Sequence, residues 1–352
     1  MRDIDTRIYK EEDLSKKAVQ KDIRDTIRSG GNIIFPTETV YGIGAYALSE
    51  KGIRNIYELK GRPSDNPLIM HIGKQADHEA YVHVDQPYVK RLMDAFWPGP
   101  LTLVMRRKET VPDIITGGLE TVGIRLPSHP LALKVLTIAS VPICAPSANI
   151  SGSPSSTLFE HVHEDFNGKV DIILNGGKSD VGLESTVVDV PKKTPVILRP
   201  GVITKSMLES IAGKVELSRE LEADAIPQAP GMKYKHYAPD GELTIVDGPK
   251  QALIDYINEK TEYHHSRGDT VGVIATDDLK RAFNTPYVYN IGREDEAALI
   301  ASNLYIALRH MDQLGIDHIY SVAFHGSTYQ EAIMNRLYKA ANNRVVKLPG
   351  DK

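Results

Sequence analysis

At 352 residues the chain exceeds the roughly 250 to 300 at which a single hydrophobic core usually stops growing, so two domains are expected. Its 42 Lys and Arg against 46 Asp and Glu leave a net charge of -4, which argues against a protein built mainly to coat nucleic acid while leaving room for a local basic groove. The single cysteine, Cys144, rules out an intramolecular disulfide and any cysteine-rich zinc site. No stretch approaches about 18 uninterrupted apolar residues, so no membrane contact is expected, and a first segment without an apolar signal core points to the cytoplasm.

Leu14, Ala18, Val19, Ile23 and Ile27 fall on one helical face, Gly30-Gly31 stops that helix, and residues 32–35 form a short apolar strand that Pro36 ends. Further strands are expected at 68–72, 101–105, 122–126, 141–145, 172–174, 186–190 and 196–198, with helices at 49–59, 85–95, 130–139 and 204–212. Together they make an α/β domain over 1–215 whose loops carry nearly all the unusual residues. Residues 216–240, with Pro227, Pro230 and Pro239, read as a linker. Its Tyr234 and His236 fit a strap packed on a domain surface as well as a segment that touches ligand. From 241 to 352, strands at 243–246, 270–275, 287–291, 318–323 and 345–348 alternate with helices at 249–260, 294–314 and 328–341 and a weak helix after 275. This predicts a small parallel-sheet domain of Rossmann-like type, without either Gly-rich phosphate-binding fingerprint.

The chemistry-bearing residues sit at strand ends. Pro36-Thr37-Glu38-Thr39-Val40-Tyr41-Gly42 follows a buried strand, the usual place for a ligand loop, although its hydroxyls would equally satisfy a turn. Lys60-Gly61-Arg62-Pro63-Ser64-Asp65-Asn66-Pro67 presents a point charge, a planar fork and an amide on proline-stiffened backbone, against the alternative of a solvated charge run. His71 in the next strand reads by itself as a core histidine. Arg125, between Ile124 and Leu126, needs an anionic partner if buried, which a ligand carboxylate and a structural Asp or Glu would both supply.

Ala145-Pro146-Ser147-Ala148-Asn149 is a small-residue loop that a phosphate can approach closely, and Cys144 before it reads as inert core. Ser185-Thr186 and Arg199-Pro200-Gly201 repeat the theme of a hydroxyl or guanidinium at a strand end, while Trp97 beside Pro98-Gly99-Pro100 reads as structural. His264-His265, the sole adjacent histidine pair, has no second ligand cluster at metal spacing and is expected to be a solvated helix end. No Ser-His-Asp, paired-carboxylate or zinc signature emerges. Positioning and electrostatic stabilisation of phosphates remain as the expected mechanism, with Mg²⁺ held largely by the phosphates themselves.

These motifs, in this order, resemble the YrdC-like domain, and the linker with the C-terminal α/β domain resembles the two-domain threonylcarbamoyl-AMP synthase form of that family. The resemblance implies a twisted mixed sheet followed by the Rossmann-like domain. It also implies a nucleotidyltransferase that makes L-threonylcarbamoyladenylate and pyrophosphate from L-threonine, bicarbonate and ATP, for the tRNA modification t6A37. By the family pattern Lys60, Arg62, Ser147 and Asn149 are the catalytic set. Thr39, His71, Arg125, Ala145 and Ser185 face threonine, and Arg62, Asn66, Thr121, Ser147, Ser155, Arg199, Tyr234 and His236 face ATP. No metal ligand from the protein is assigned. The implied partners are the downstream tRNA threonylcarbamoyl-transfer machinery, with room for weak RNA binding.

Two rival readings remain. An RNA-binding protein on the same fold is disfavoured as the main function by the net charge. A carbamoyltransferase with a YrdC-like domain would carry zinc-finger cysteines, which one cysteine excludes.

Overall fold

The computed structural model describes residues 4–218, 236–326 and 328–350. The chain divides into two units, Met1–Ser151 with Ser155–Tyr234 and Gly152–Pro154 with Lys235–Lys352. Most of the expected linker, Tyr234 included, lies outside the described residues.

The first unit runs β1 (Arg7–Lys10), α1 (Lys17–Arg28), β2 (Ile33–Phe35), β3 (Gly42–Tyr46), α2 (Glu50–Lys60), β4 (Ile69–His71), β5 (Val82–His83), α3 (Pro87–Phe96), β6 (Leu101–Arg107) and α4 (Asp113–Thr116). It continues with β7 (Thr121–Arg125), α5 (Pro130–Ala139), β8 (Ile143–Cys144), α6 (Phe159–Phe166), β9 (Ile172–Asn175), β10 (Thr186–Asp189), β11 (Val196–Arg199), α7 (Lys205–Ala212) and β12 (Glu216–Leu217). Among the described residues twelve strands form one mixed sheet, ordered β1-β9-β2-β3-β8-β4-β7-β6-β10-β11-β12, with β5 paired to β6.

Both faces of this sheet are covered. In β2, Ile33 and Phe35 join a core with Ile23 and Ile27 of α1 and Val135 and Leu136 of α5, whereas Ile34 joins a larger core with Ile53 and Ile56 of α2 and Leu92 of α3. Strand β9 alternates in the same way, Ile172 and Leu174 against Ile173. A strand buried on both faces reads as a continuous apolar run, which is why these elements stand out in the sequence. Strand β3 was not expected: Gly42-Ile43-Gly44-Ala45-Tyr46 is glycine-rich, yet it pairs antiparallel with both β2 and β8. Gly44 admits the close approach, because a Cβ there would lie 2.7 Å from Ile143 Cγ2 and 2.9 Å from Phe35 Cε1.

The second unit contains β13 (Glu242–Asp247), α8 (Lys250–His265), β14 (Val271–Ala275), β15 (Tyr287–Asn290), α9 (Ala297–Gln313), β16 (His318–Val322), α10 (Gln330–Ala340) and β17 (Val345–Lys347). Among the described residues its five strands are all parallel, in the order β15-β14-β16-β13-β17. Residues 277–286 are turns, not the weak helix expected there. Tyr237 anchors the start of the unit: its ring lies 5.3 Å from that of Tyr305 in α9, and the Arg336 guanidinium carbon lies 5.9 Å from its centroid. No helix among the described residues is long and apolar enough to cross a membrane.

Candidate functional site

Helix α2 is started by Ser49, whose hydroxyl accepts from Gly52 N–H, and it ends at Lys60 because Gly61 turns left-handed at φ +61°. That turn sends Lys60 and Arg62 in different directions. Lys60 is only 2% exposed, and its Nζ donates to the carbonyls of Ser147 at 2.6 Å and Asn149 at 2.5 Å. Arg62 folds back over its own loop, donating to Asn66 O at 3.4 Å and Pro67 O at 3.0 Å. Asn66 is buried, and its side-chain Oδ1 has no hydrogen-bond partner among the described residues. A buried amide oxygen in that state calls for a donor from elsewhere.

The loop after β8 lies against the 36–42 segment. Ala148 N–H donates to Tyr41 O at 2.7 Å, Ile43 N–H donates to Pro146 O at 3.0 Å, and Gly42 bridges Ser147. Ala145 N–H is bonded to Ile69 O, and Ser147 Oγ donates to Asn149 Oδ1 at 2.6 Å. The 36–42 segment is therefore a hub: Tyr41 N–H also reaches Ser156 O, and Val181 N–H reaches Glu38 O.

The same hub meets Arg125, the last residue of β7 and only 4% exposed. Its Nη1 donates to Thr39 Oγ1 at 3.0 Å, its Nε to Gly99 O at 3.3 Å, and its Nη2 lies 2.6 Å from Glu38 Oε1. Thus the buried arginine has a structural carboxylate. Burial alone would raise the Glu38 pKa, but the Arg125 charge and hydrogen bond, together with backbone N–H donors, outweigh it and hold the carboxyl below its usual range. His71, in register beside Arg125, is pushed down to about 3 by burial and then by the Arg125 charge, so its ring is neutral.

A third group forms at β10 and β11. Ser185 Oγ pairs with Thr102 Oγ1 at 2.8 Å and accepts from Arg199 Nη2 at 3.3 Å, while Arg199 Nε donates to Ser185 O. Ser155 Oγ donates to Glu184 Oε1 at 2.6 Å. Gly201 packs on the same turn, where a Cβ would lie 2.5 Å from Thr186 N. The Arg125 and Ser185 groups are linked through β6, where Ile124 is in register with Leu103 and Thr186 with Leu101.

Residues 25–201 match a family model described as Telomere recombination, which groups Sua5, YciO and YrdC sequences, and residues 203–342 match one described as Threonylcarbamoyl-AMP synthase, C-terminal domain. The threonylcarbamoyl-AMP synthase of Pyrococcus abyssi is 43% identical over 92% of this chain and 94% of its own. The chain belongs to the threonylcarbamoyl-AMP synthase family. The Bacillus subtilis threonylcarbamoyl-AMP synthase is 42% identical, over 91% of this chain and 92% of its own. Among solved structures, that of P. abyssi Sua5 complexed with L-threonine matches with a TM-score of 0.90 at 40% identity, covering 98% of this chain and 99% of that one.

Against this family background, most positions expected from the sequence fall into the three groups. Thr121 opens β7, about 13 Å along the strand from Arg125 and paired with Arg106, and the parallel register of β4 with β7, Ile69 beside Gly123, sets it at the Asn66–Pro67 end. His236 belongs to the second unit, its ring 5.4 Å from that of Tyr237, and Tyr234 lies outside the described residues. Trp97 is structural, its indole N–H donating to Leu101 O at 2.7 Å. Cys144 is fully buried, and burial pushes its thiol pKa up. Reading the sequence missed Glu38, Glu184 and Thr102. Glu38 had a usable signal: it stands between two hydroxyl residues in a loop already singled out, and a buried Arg125 demanded an anion.

Proposed function

We propose that this chain is an L-threonylcarbamoyladenylate synthase, a nucleotidyltransferase that joins L-threonine, bicarbonate and ATP and releases pyrophosphate. The observation that carries the reading is the 36–42 hub, which holds Arg125 through the Thr39 hydroxyl and the Ser147–Asn149 loop through main-chain bonds. A carboxylate-binding cation and a phosphate-sized loop are thereby held at fixed separation. The names of the curated relatives and the L-threonine in P. abyssi Sua5 support the same reaction.

In this reading the threonine carboxylate meets Arg125, oriented by Glu38 and Thr39, with neutral His71, Ala145 and Ser185 around it. The threonine amine attacks bicarbonate carbon and water leaves, giving a carbamate. A carbamate oxygen then attacks the α-phosphorus of ATP, and the bond from that phosphorus to the β-phosphate bridging oxygen breaks, with the electron pair leaving on pyrophosphate. Arg62, Asn66, Ser147, Ser155 and Arg199 hold the nucleotide, and the unpartnered Asn66 Oδ1 supplies an acceptor for a nucleoside N–H or O–H. Lys60 acts by positioning, since its ammonium grips the carbonyls of the loop that carries Ser147 and Asn149.

Mg²⁺ enters with the triphosphate. The donor set fits that arrangement: the two buried carboxylates among the described residues, Glu38 and Glu184, face Arg125 and Ser155, and the other polar groups are hydroxyls, amides, the neutral His71 ring and the cations Lys60, Arg62 and Arg199. The metal neutralises phosphate charge when bound. The test is pyrophosphate release with ATP, L-threonine and bicarbonate, each omitted in turn under carbon-dioxide-free buffer, with mass detection of the adenylate. Release must need all three. Equal release without threonine or without bicarbonate would make the chain a plain ATPase.

A further inference from the structure

Helix α8 ends at His265, and the chain turns back so that Asp269 N–H donates to His264 O at 3.1 Å. The turn brings the Asp269 carboxylate opposite the His264 ring. Strand β16 begins beside it with His318, whose N–H is bonded to Thr270 O. Three elements therefore deliver two imidazoles and one carboxylate to the amino-terminal edge of the parallel sheet. The sequence reading of His264 as a solvated helix end is corrected here: its side chain is 14% exposed and stacked on His318, whereas His265 is exposed.

We propose that His264 Nδ1, Asp269 Oδ2 and His318 Nε2 bind one divalent transition-metal ion of the zinc or cobalt class. All three atoms lie within 4.8 Å of one another, and they are the one such triad of His, Cys, Asp or Glu groups among the described residues. Asp269 Oδ2 is 3.7 Å from His264 Nδ1 and 3.6 Å from His318 Nε2. Both separations exceed a hydrogen bond, yet they are close to the roughly 3.3 Å between neighbouring donors around a tetrahedral ion with bonds of about 2.0 to 2.1 Å.

Two further contacts fit the assignment. His264 Nδ1 is shielded from solvent and has no hydrogen-bond partner among the described residues. The other ring nitrogen, Nε2, lies 3.1 Å from the Tyr320 hydroxyl. An outer partner on one ring nitrogen fixes which nitrogen faces the ion. Arg267 Nε also approaches Asp269 Oδ2, but at 3.9 Å, the outer limit of an ion pair. The His264 and His318 rings are stacked at 3.7 Å with 24° between their planes, so coordination requires them to swing until both in-plane lone pairs converge. Imidazole with one carboxylate selects zinc, cobalt, nickel or copper over magnesium. The site is therefore distinct from any magnesium that accompanies nucleotide.

The test is a titration of the chelator-stripped full-length chain with Co²⁺, followed by visible absorption and displaced by Zn²⁺. One ion per chain should bind, and millimolar Mg²⁺ should not displace it. Asp269→Asn, which keeps the shape, and His318→Ala should abolish the bands. Tyr320→Phe should weaken binding about 10 to 100-fold, and His265→Ala should leave it unchanged. Circular dichroism of each variant separates loss of ligand from loss of fold, and if His318→Ala does not fold, Asp269→Asn decides. No stoichiometric binding by the parent chain, undiminished binding by folded Asp269→Asn, or loss on His265→Ala each overturns the proposal.

Discussion

The Arg125–Glu38 pair sets a measurable cost. Both side chains are nearly inaccessible, at 5% and 6%, with 2.6 Å between Nη2 and Oε1. Removing one member leaves the other charge buried and uncompensated, which costs about 3 to 5 kcal/mol. The exposed pair Lys134–Glu11, equally short at 2.7 Å but with side chains about half accessible, should be worth no more than about 1 kcal/mol. Trp97 is the sole tryptophan and lies in the first unit, so urea unfolding followed by its fluorescence reports that unit. Glu38→Ala should lower its stability by about 3 to 5 kcal/mol and Glu11→Ala by under about 1 kcal/mol. A double-mutant cycle with Arg125→Met should show that the two losses are not additive.

Acid gives a second signature with a definite sign. The folded Glu38 pKa is depressed, so the stability it contributes is present above the unfolded value near 4.5 and is lost as pH falls through the folded value. The difference in stability between parent and Glu38→Gln should shrink below pH 4.5, with a slope of at most about 1.4 kcal/mol per pH unit for one proton. If Glu38→Ala costs no more than Glu11→Ala, or if the difference is flat through this window, the pair does not brace Arg125.

Ser147→Ala removes one hydrogen bond from a partly buried side chain, so pyrophosphate release should fall at least about tenfold while unfolding shifts by only about 1 kcal/mol; full activity would remove Ser147 from the nucleotide side. Cys144, fully buried with its thiol pKa raised, should react with a thiol reagent only in urea, and rapid labelling of the native chain would contradict its inert-core placement. His71, pushed down to about 3, should contribute no step to the activity profile between pH 5 and 8. His71→Gln should keep the shape of that profile, and a parent ionisation that vanishes in the variant would show that the ring titrates.

The strands were legible where both faces are buried, because Ile33-Ile34-Phe35 and Ile172-Ile173-Leu174 are apolar at every position. Strand β3 was hidden because its glycines fit neighbours in space and not a local propensity. Helix α6 was missed for a related reason, since its buried Val162 and Phe166 are interspersed with three histidine or glutamate residues on the solvent side and one buried histidine. Site positions were readable as residue types at strand ends, but their partners were not. Arg125 and Glu38 are far apart in sequence, and only the pairing of strands that intervene brings them together. His264, Asp269 and His318 illustrate the same limit, since the third member arrives from another strand.

Four cations read from the sequence as ligand contacts also hold the chain's own oxygens. Lys60 grips Ser147 O and Asn149 O, Arg62 grips Asn66 O and Pro67 O, Arg125 meets Glu38, Thr39 and Gly99 O, and Arg199 meets Ser185. A buried cation needs such oxygens at all times, because leaving it bare costs several kcal/mol whether or not substrate is bound. The same bonds fix the loops before any ligand arrives, which is what electrostatic preorganisation requires. It follows that charge alone does not define these positions. Arg62 spans two carbonyls through Nε and Nη2, and a lysine there would retain the charge but hold a single point, releasing the loop that presents Asn66.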